Sequence, residues 1–252
     1  MYLAIMREVG KKAEILRSVK FCISGAAPLP AKIQEDFEQL SGGKLVEGYG
    51  LSETSPVTHC NPLNENCVNG SIGVPLPNID VMIMDGETGK QLPPGEIGEL
   101  MVKGPNVMLG YLNNEEATRA TLTDDGWLHT GDIATVDSNG IYKIVDRLKE
   151  LIKYKGYQVA PAVLEAVLLS HPRIADAAVI GVNDEDGQEI PKAFVVIQMG
   201  EELTEDEVMQ FVTTKVAPHE KIRRVEFIEL IPKSTAGKIL RKDLRAKEAA
   251  TR

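Results

Sequence analysis

Cysteine is scarce in this chain, which contains 3 cysteines among 252 residues. They are scattered at Cys22, Cys60 and Cys67, and this spacing predicts free thiols in a reducing compartment rather than a disulfide framework. His59, Cys60 and Cys67 fall in a segment rich in Pro and Asn, which is typical of a loop. Because no Cys/His group has the spacing of zinc ligands, the sequence argues against a zinc site.

Long apolar runs and an excess of positive charge are also missing. No run approaches the ~20 residues that a membrane-spanning helix needs, and the N-terminus lacks the charged-then-apolar pattern of a signal peptide. The formal net charge is −9, so nucleic acid and anionic membranes would on average repel the chain. These absences predict a cytoplasmic protein that has no transmembrane segment and binds no nucleic acid.

A Walker-type phosphate loop is absent as well, since the pattern G-x-x-x-x-G-K-[ST] does not occur. The segment 41–44 (Ser-Gly-Gly-Lys) is too short to wrap phosphates and is typical of a turn that ends a helix. Any nucleotide site in this chain must therefore be built in another way.

The pattern of apolar residues divides the chain into three parts. The first 69 residues predict a strand at 19–23, a helix at 31–40 and a strand at 44–47, which is the rhythm of an α/β layer. Residues 70–145 consist of short alternating runs, with a hairpin turn at 137–140. After Arg147 the pattern becomes mixed α/β. Strands are predicted there at 151–154, 174–182, 193–199 and 225–230, and helices at 161–170 and after a capping box of Thr204 and Glu207, before a basic, loop-like tail from Lys233.

Two segments that contain glycine could bind a nucleotide. Segment 24–29 (Ser-Gly-Ala-Ala-Pro-Leu) lets the backbone approach a flat ligand, although a tight turn explains it equally well. Segment 47–54 places Tyr49 between two glycines, followed by Ser52 and Glu53. A ring can stack on a purine, a hydroxyl can bind phosphate and a carboxylate can hold Mg²⁺. The alternative is an ordinary corner between a strand and a loop.

Charged residues that could take part in chemistry lie at three further places. Segment 126–132 puts Asp132 in what we interpret as a Gly-flanked loop, where a carboxylate could accept hydrogen bonds from both hydroxyls of a diol. Taken alone, Asp132 also suits a turn cap and Arg147 a surface ion pair. The lysines of 149–155 fit an exposed hairpin. A basic tail around Lys238 fits either a solvated end or a cation for phosphate chemistry.

In this order, the segments at 47–54, 126–132, 146–158 and 232–241 resemble the motifs of the AMP-forming acyl-CoA synthetases. This superfamily of acid–CoA ligases includes the 4-coumarate–CoA ligases and beetle luciferases. The resemblance implies an α/β and α+β fold. Its parts would be a remnant α/β lobe (1–69) and a β-rich subdomain (70–145) of the large domain, a hinge (146–149) and a mobile α+β C-terminal domain (150–252).

The resemblance also implies a role for each site residue. Tyr49 would stack on adenine, Ser52 would face the α-phosphate, and Glu53 would bind Mg²⁺ and assist catalysis. Lys238 would reach the reacting phosphate, Lys153 would serve thioester formation, and Lys149 would be the hinge position. The other implied contacts are Gly25, Ala26, Ala27 and Gly50 around adenine, Asp132 and Arg147 on the ribose, Gly156 and Tyr157 beside the thiol of CoA, and Gln158 in adenylation.

The implied reaction activates a carboxylic acid with ATP to an acyl-AMP and transfers the acyl group to coenzyme A. General similarity favours a fatty acid, and an aryl-propenoic acid remains open. The family's upstream loop for the β- and γ-phosphates has no counterpart here, so we expect the C-terminal half of such a ligase, inactive alone. Exposed apolar surface then predicts a homodimer. The alternative is a non-catalytic nucleotide-binding or interaction module.

Overall fold

The computed structural model describes residues 1–26, 28–235 and 237–250. Ala27, which the sequence places beside adenine, lies outside these ranges. The chain forms two compact units, Met1–Ile144 and Val145–Arg252. The mixed α/β architecture confirms the predicted fold class.

The first unit begins with helix α1 (Tyr2–Val9) and a 3-10 helix (Gly10–Ser18). Strand β1 (Phe21–Ser24), helix α2 (Ala31–Ser41) and strand β2 (Lys44–Gly50) follow, and β1 pairs with β2 in parallel. The predicted strand, helix and strand are therefore confirmed. Gly42 ends α2 with a φ of 73°, as the turn signal indicated.

The helices before β1 were not predicted from the sequence. Their signal was available, because Tyr2, Ile5 and Met6 have helical spacing and pack against Phe37 and Leu45. Strands β3 (Val57–Cys60) and β4 (Val74–Pro75) complete the first sheet in the order β1-β2-β3-β4. The loop interpretation was therefore wrong for His59 and Cys60, which lie in β3. Thr58 and His59 are buried there, although neither is apolar.

A second, antiparallel sheet follows in the order β5-β6-β7-β8. Its strands are β5 (Asp80–Met84), β6 (Ile97–Lys103), β7 (Leu128–Val136) and β8 (Tyr142–Arg147). The short helix α3 (Glu115–Thr121) lies between β6 and β7 in the chain. The turn at 137–140 joins β7 to β8, as predicted. Asp132 lies within β7 rather than in a loop, which corrects the interpretation of that segment.

The second unit is built on a three-stranded sheet. A 3-10 helix (Leu148–Glu150) leads into the hairpin of β9 (Ile152–Tyr154) and β10 (Tyr157–Val159). Helix α4 (Pro161–Leu169), strands β11 (Ile174–Asn183) and β12 (Glu189–Ile197), helix α5 (Glu205–Thr213), strand β13 (Arg224–Phe227) and helix α6 (Arg241–Ala250) follow. β11 and β12 are antiparallel, whereas β12 and β13 are parallel.

The predicted loop-like tail from Lys233 is wrong beyond residue 240, because α6 occupies that region. Leu244 is the buried apolar residue of this helix, so its apolar pattern is weak. Ion pairs supply the missing attachment. They join Arg245 to Glu150, Lys247 to Glu226, and Glu248 to the buried Lys192.

A buried ion pair fixes the start of α6. The Glu165 carboxylate accepts hydrogen bonds from Arg241 Nη2 at 2.7 and 2.8 Å and from Val179 N at 2.8 Å. Burial raises the pKa of Glu165, and the Arg241 guanidinium opposes that rise. Asp146, also buried, accepts a hydrogen bond from Ala162 N at 2.7 Å. These contacts connect α4, β11 and α6.

Within the described residues, no helix is both long enough and apolar enough to cross a membrane. The same part of the chain contains no group of three or more His, Cys, Asp or Glu side chains placed to hold a metal ion.

Replacing Arg241 with Met should lower the free energy of unfolding by about 3–5 kcal/mol, because Glu165 would remain buried without its cation. The double substitution Glu165→Leu/Arg241→Met should recover most of this loss. Urea denaturation followed by circular dichroism measures both effects. Lys242→Met on the exposed side of the same helix is the matched control and should change stability by less than about 0.5 kcal/mol. Equal stability of Arg241→Met and this control would contradict the role of the ion pair.

Candidate active site

The segment after β1 folds closely against β2. Ala26 has a φ of 69°, in the left-handed region that residues with a Cβ rarely adopt. Leu29 N donates a hydrogen bond to Glu47 Oε2 at 3.2 Å, so a side chain of β2 holds the end of the segment. A Cβ added to Gly25 would lie 3.5 Å from Gly48 O. Backbone strain held in place by surrounding contacts is a common feature of ligand sites.

Glu47 is the unusual acid of this region. Burial raises its pKa to about 7, and the hydrogen bond from Leu29 N only partly opposes the effect. A carboxyl group with this pKa changes its charge near neutral pH. Glu47 lies in segment 47–54 but was not predicted as a site residue, because its burial depends on the packing of β2.

Tyr49 and Asp132 lie far apart in the sequence and meet in the structure. Tyr49 Oη donates a hydrogen bond to Asp132 Oδ2 at 2.6 Å, and Asp132 is 3% exposed. The His59 ring stands edge-on between Tyr49 and Tyr142, with centroid distances of 5.8 and 5.0 Å. The ring of Tyr49 is therefore fixed at its hydroxyl and along one side.

His59 is a buried base without a complete set of hydrogen bonds. Its Nδ1 lies 2.9 Å from Thr58 Oγ1, and within the described chain its Nε2 has no hydrogen-bond partner. Burial lowers its pKa to about 3, so the imidazole is neutral at physiological pH. It supports Tyr49 by packing rather than by charge.

Glu99 holds the strand segment that carries Asp132. Its two carboxylate oxygens lie 3.0 Å from Gly131 N and 3.0 Å from His129 Nδ1. Thr130 Oγ1 donates to Leu100 O at 2.6 Å and accepts from Asp132 N at 3.1 Å. Neither Glu99 nor His129 was predicted from the sequence as a site residue. Their contacts across β6 and β7 give them a site role.

The turn after Tyr49 requires a glycine. A Cβ at Gly50 would lie 1.7 Å from Pro56 O, so no other residue fits without movement of the backbone. Ser52 and Glu53 follow in a 3-10 helix (Ser52–Thr54). Tyr111 Oη donates to Glu53 Oε1 at 2.7 Å, which orients this carboxylate. Tyr111 was not predicted from the sequence as a site residue.

In the second unit, two residues with positive φ form the tip of the β9–β10 hairpin. Lys155 and Gly156 have φ values of 49° and 84°, and Lys153 pairs with Gln158 across the two strands. The Tyr157 ring stacks on His219 with a centroid distance of 4.4 Å and an interplanar angle of 17°. Arg147 ends β8, and Lys149 is exposed in the 3-10 helix that follows.

Lys238 lies on a small closed loop. Ser234 N donates to Lys238 O at 2.9 Å, and Lys238 N donates to Ser234 Oγ at 3.2 Å. Lys233 forms an ion pair with Asp176 at 2.6 Å, and the Glu165–Arg241 pair lies beyond the other end of the loop. The backbone is thus fixed on both sides of the lysine, whose side chain is exposed.

Comparison with known proteins identifies two matching families. Residues 1–112 match the family described as AMP-binding enzyme, and residues 163–238 match the AMP-binding enzyme C-terminal domain. A 4-coumarate–CoA ligase 1 from Glycine max is 48% identical over 244 residues, covering 94% of this chain and 83% of that protein. A 4-coumarate-CoA ligase 1 from Narcissus pseudonarcissus is 47% identical over 240 residues, which are 93% of this chain and 44% of the relative.

Solved structures show the same fold. ATP-bound MatB from Rhodopseudomonas palustris matches with a TM-score of 0.84 and 35% identity, over 89% of this chain and 44% of that one. The anthranilate CoA ligase AuaEII in complex with anthranoyl-AMP matches with a TM-score of 0.81 and 31% identity, over 93% of this chain and 46% of that one. The chain therefore spans less than half the length of these two structures.

Glu47 should make stability fall as the pH rises from about 4.5 to about 7. In this window the folded chain keeps the Glu47 proton and the unfolded chain has lost it. The contribution of Glu47 to the free energy of unfolding is thus fully present below pH 4.5 and is lost as the pH rises through 7. Glu47→Gln should remove up to about 1.4 kcal/mol per pH unit from the slope of the unfolding free energy. Urea denaturation across this range measures it. Glu35→Gln on the exposed face of α2 should leave the slope unchanged, and an unchanged slope in Glu47→Gln would refute the assignment.

Proposed function

We propose, from the premise that this chain belongs to the AMP-binding enzyme family, that it carries the adenosine site and the catalytic lysines of an AMP-forming acid–CoA ligase. In the first step, a carboxylate oxygen of the acid bonds to the α-phosphorus of ATP. The bond from that phosphorus to the bridging oxygen breaks, and pyrophosphate leaves. In the second step, the sulfur of CoA bonds to the acyl carbon, AMP leaves and the thiol proton passes to solvent.

The observation that carries this proposal is the hydrogen bond from Tyr49 to Asp132. It places an aromatic face next to a carboxylate, which is what an adenosine needs for its base and its ribose diol. Gly25 and Ala26 line the base, and Asp132 accepts hydrogen bonds from the ribose hydroxyls. Arg147 is the second predicted ribose contact.

The phosphates and their metal would bind at the 3-10 helix after Tyr49. Ser52 offers a hydroxyl for the α-phosphate. Glu53 offers an oxygen ligand that Tyr111 orients. Magnesium prefers oxygen ligands and is commonly bound through one or two carboxylates together with substrate phosphates, so this donor fits the metal. Bound there, Mg²⁺ would neutralise phosphate charge during adenylation.

The two lysines act in different steps. Lys238 stabilises the negative charge that accumulates when the carboxylate approaches the α-phosphorus. Lys153 serves thioester formation, with Gly156 and Tyr157 beside the path of the thiol. Gln158 assists adenylation, and Lys149 is the hinge position between the two steps. Lys153 lies in β9, and Lys238 lies between the bridged residues Lys233 and Ile239, so the two lysines belong to separate elements.

The substrate acid is proposed to be an aryl-propenoic acid. The relatives described above are named for 4-coumarate, and one structural neighbour binds an aryl adenylate by its own description. These relatives give no support to the fatty acid that general similarity favoured. A panel of 4-coumarate, benzoate and long-chain fatty acids in the thioester assay tests this choice.

The role of Asp132 can be tested by binding alone. Asp132→Asn should weaken AMP binding about tenfold or more, because a charged hydrogen bond to the ribose is lost. The substitution should not change the affinity for 2′,3′-dideoxy-AMP, which lacks both hydroxyls. Isothermal titration calorimetry measures both ligands, and Asp124→Asn, at an exposed position before β7, is the control. An equal loss for both nucleotides would contradict ribose recognition by Asp132.

The division of labour between the lysines can be tested by assaying the two steps separately. Lys238→Ala should slow ATP–pyrophosphate exchange about 100-fold or more, because a positioned cation is lost. It should spare thioester formation from preformed 4-coumaroyl-AMP and CoA. Lys153→Ala should do the reverse.

Lys242→Ala is the control for both assays. Equal losses in the two steps would refute the division between the lysines. Because the chain is expected to be inactive alone, both assays include the part of the Narcissus pseudonarcissus 4-coumarate-CoA ligase 1 that this chain does not span. A wild-type chain that binds AMP but still catalyses neither step would favour the non-catalytic binding module.

A further inference from the structure

We propose that Glu189 is a positioning residue for Lys153, and that Gly181 provides the space which lets it act. This inference rests on the proposed role of Lys153 in thioester formation. Glu189 begins β12, after the turn that follows β11. Lys153 is the central residue of β9. The two residues are brought together only by the folding of the second unit.

Both backbone groups of Lys153 are held by side chains from the end of this turn and the start of β12. Lys153 N donates to Glu189 Oε2 at 2.7 Å, and Gln188 Nε2 donates to Lys153 O at 3.3 Å. On its other side, Lys153 faces Gln158 of β10. On the side of β9 that faces away from β10, the N–H and C=O of Lys153 thus bond to a carboxylate and an amide. In a larger sheet, the backbone of a third strand would take these two positions. The bond to the carboxylate is charge-assisted, which makes it the stronger of the two.

Gly181 leaves the space that the Glu189 carboxylate occupies. A Cβ added to Gly181 would lie 2.0 Å from Glu189 Oε1 and 2.7 Å from Glu189 Cδ. The φ of Gly181 is not positive, so the glycine is required for space and not for backbone conformation. The carboxylate lies over this glycine with one oxygen and reaches Lys153 with the other. Any larger residue at 181 would displace it.

The contacts of Gln188 and Glu189, with the space left by Gly181, fix the position of the Lys153 Cα atom. Fixing both the N–H and the C=O of a residue fixes the direction of its Cα–Cβ bond. A lysine has a flexible four-carbon stem, so a fixed origin reduces the entropy lost when its ammonium group is placed for reaction. The tip of the hairpin is held independently by the stack of Tyr157 on His219. Glu189 therefore holds the backbone of β9 at Lys153, whereas the tip of the β9–β10 hairpin does not depend on it.

The experiment compares Glu189→Ala, Glu189→Gln and Gly181→Ala in the full chain. The first readout is amide hydrogen exchange at Lys153, followed by NMR, which needs no catalytic activity. The second is thioester formation from preformed 4-coumaroyl-AMP and CoA, set against ATP–pyrophosphate exchange. Both are measured in the presence of the part of the Narcissus pseudonarcissus 4-coumarate-CoA ligase 1 that this chain does not span. Glu185→Gln, an exposed glutamate in the same turn, is the matched control.

We expect Glu189→Ala to speed Lys153 amide exchange and to slow thioester formation, each about tenfold, since a charged hydrogen bond is lost. Pyrophosphate exchange should stay unchanged. Glu189→Gln keeps an acceptor oxygen and should restore both properties. Gly181→Ala should reproduce the effects of Glu189→Ala although the carboxylate is still present.

Two results would overturn the inference. One is a Lys153 amide that stays protected in Glu189→Ala, and the other is an equal loss in both half-reactions, which marks a general structural role. If Lys153→Ala itself leaves thioester formation unchanged, the proposed function of that lysine fails. In that case, amide exchange at Lys153 still decides whether Glu189 and Gly181 hold its backbone.

Discussion

Buried carboxylates that accept hydrogen bonds hold neighbouring strands and helices together within each unit. Glu99 and Asp132 in the first unit and Asp146 and Glu165 in the second are each less than 10% exposed. A carboxylate removed from water is tolerated only when donors surround it. Here the donors are largely backbone amides and hydroxyls of neighbouring segments. Because losing any of these hydrogen bonds would leave a buried charge unpaired, the segments that donate them stay in place around each carboxylate.

The candidate site uses this support next to the residues that would contact substrate. Glu99 holds Gly131, the residue before Asp132. The buried Asp146 precedes Arg147, and Arg241, bound to Glu165, lies three residues after Lys238. In each case the buried group fixes the backbone. The adjacent side chain is the one proposed to contact the nucleotide or the reacting phosphate. Rigid support beneath a reactive group is the arrangement that precise positioning requires.

Elements with a strong local pattern could be predicted from the sequence. Helix α2 has apolar residues at helical spacing and a glycine at its end, and α5 begins with the predicted capping box of Thr204 and Glu207. Where the pattern was weak, the prediction was wrong. Helix α6 attaches by Leu244 and by ion pairs, and β3 buries polar residues, so neither shows an apolar periodicity. Asp132 was placed in a loop because it follows a glycine, yet β7 continues through it.

The sequence by itself determined the family, the order of the motifs and the identity of the residues proposed to act on nucleotide and acid. These depend on residue types at fixed short spacings, which can be read along the chain. Only the tertiary structure decided that Tyr49 meets Asp132, that burial raises the pKa of Glu47, and that Glu189 reaches Lys153 over Gly181. Such contacts join residues tens of positions apart. Their geometry follows from how sheets and helices pack, because burial and hydrogen bonding across strands are properties of the folded chain and not of any local segment.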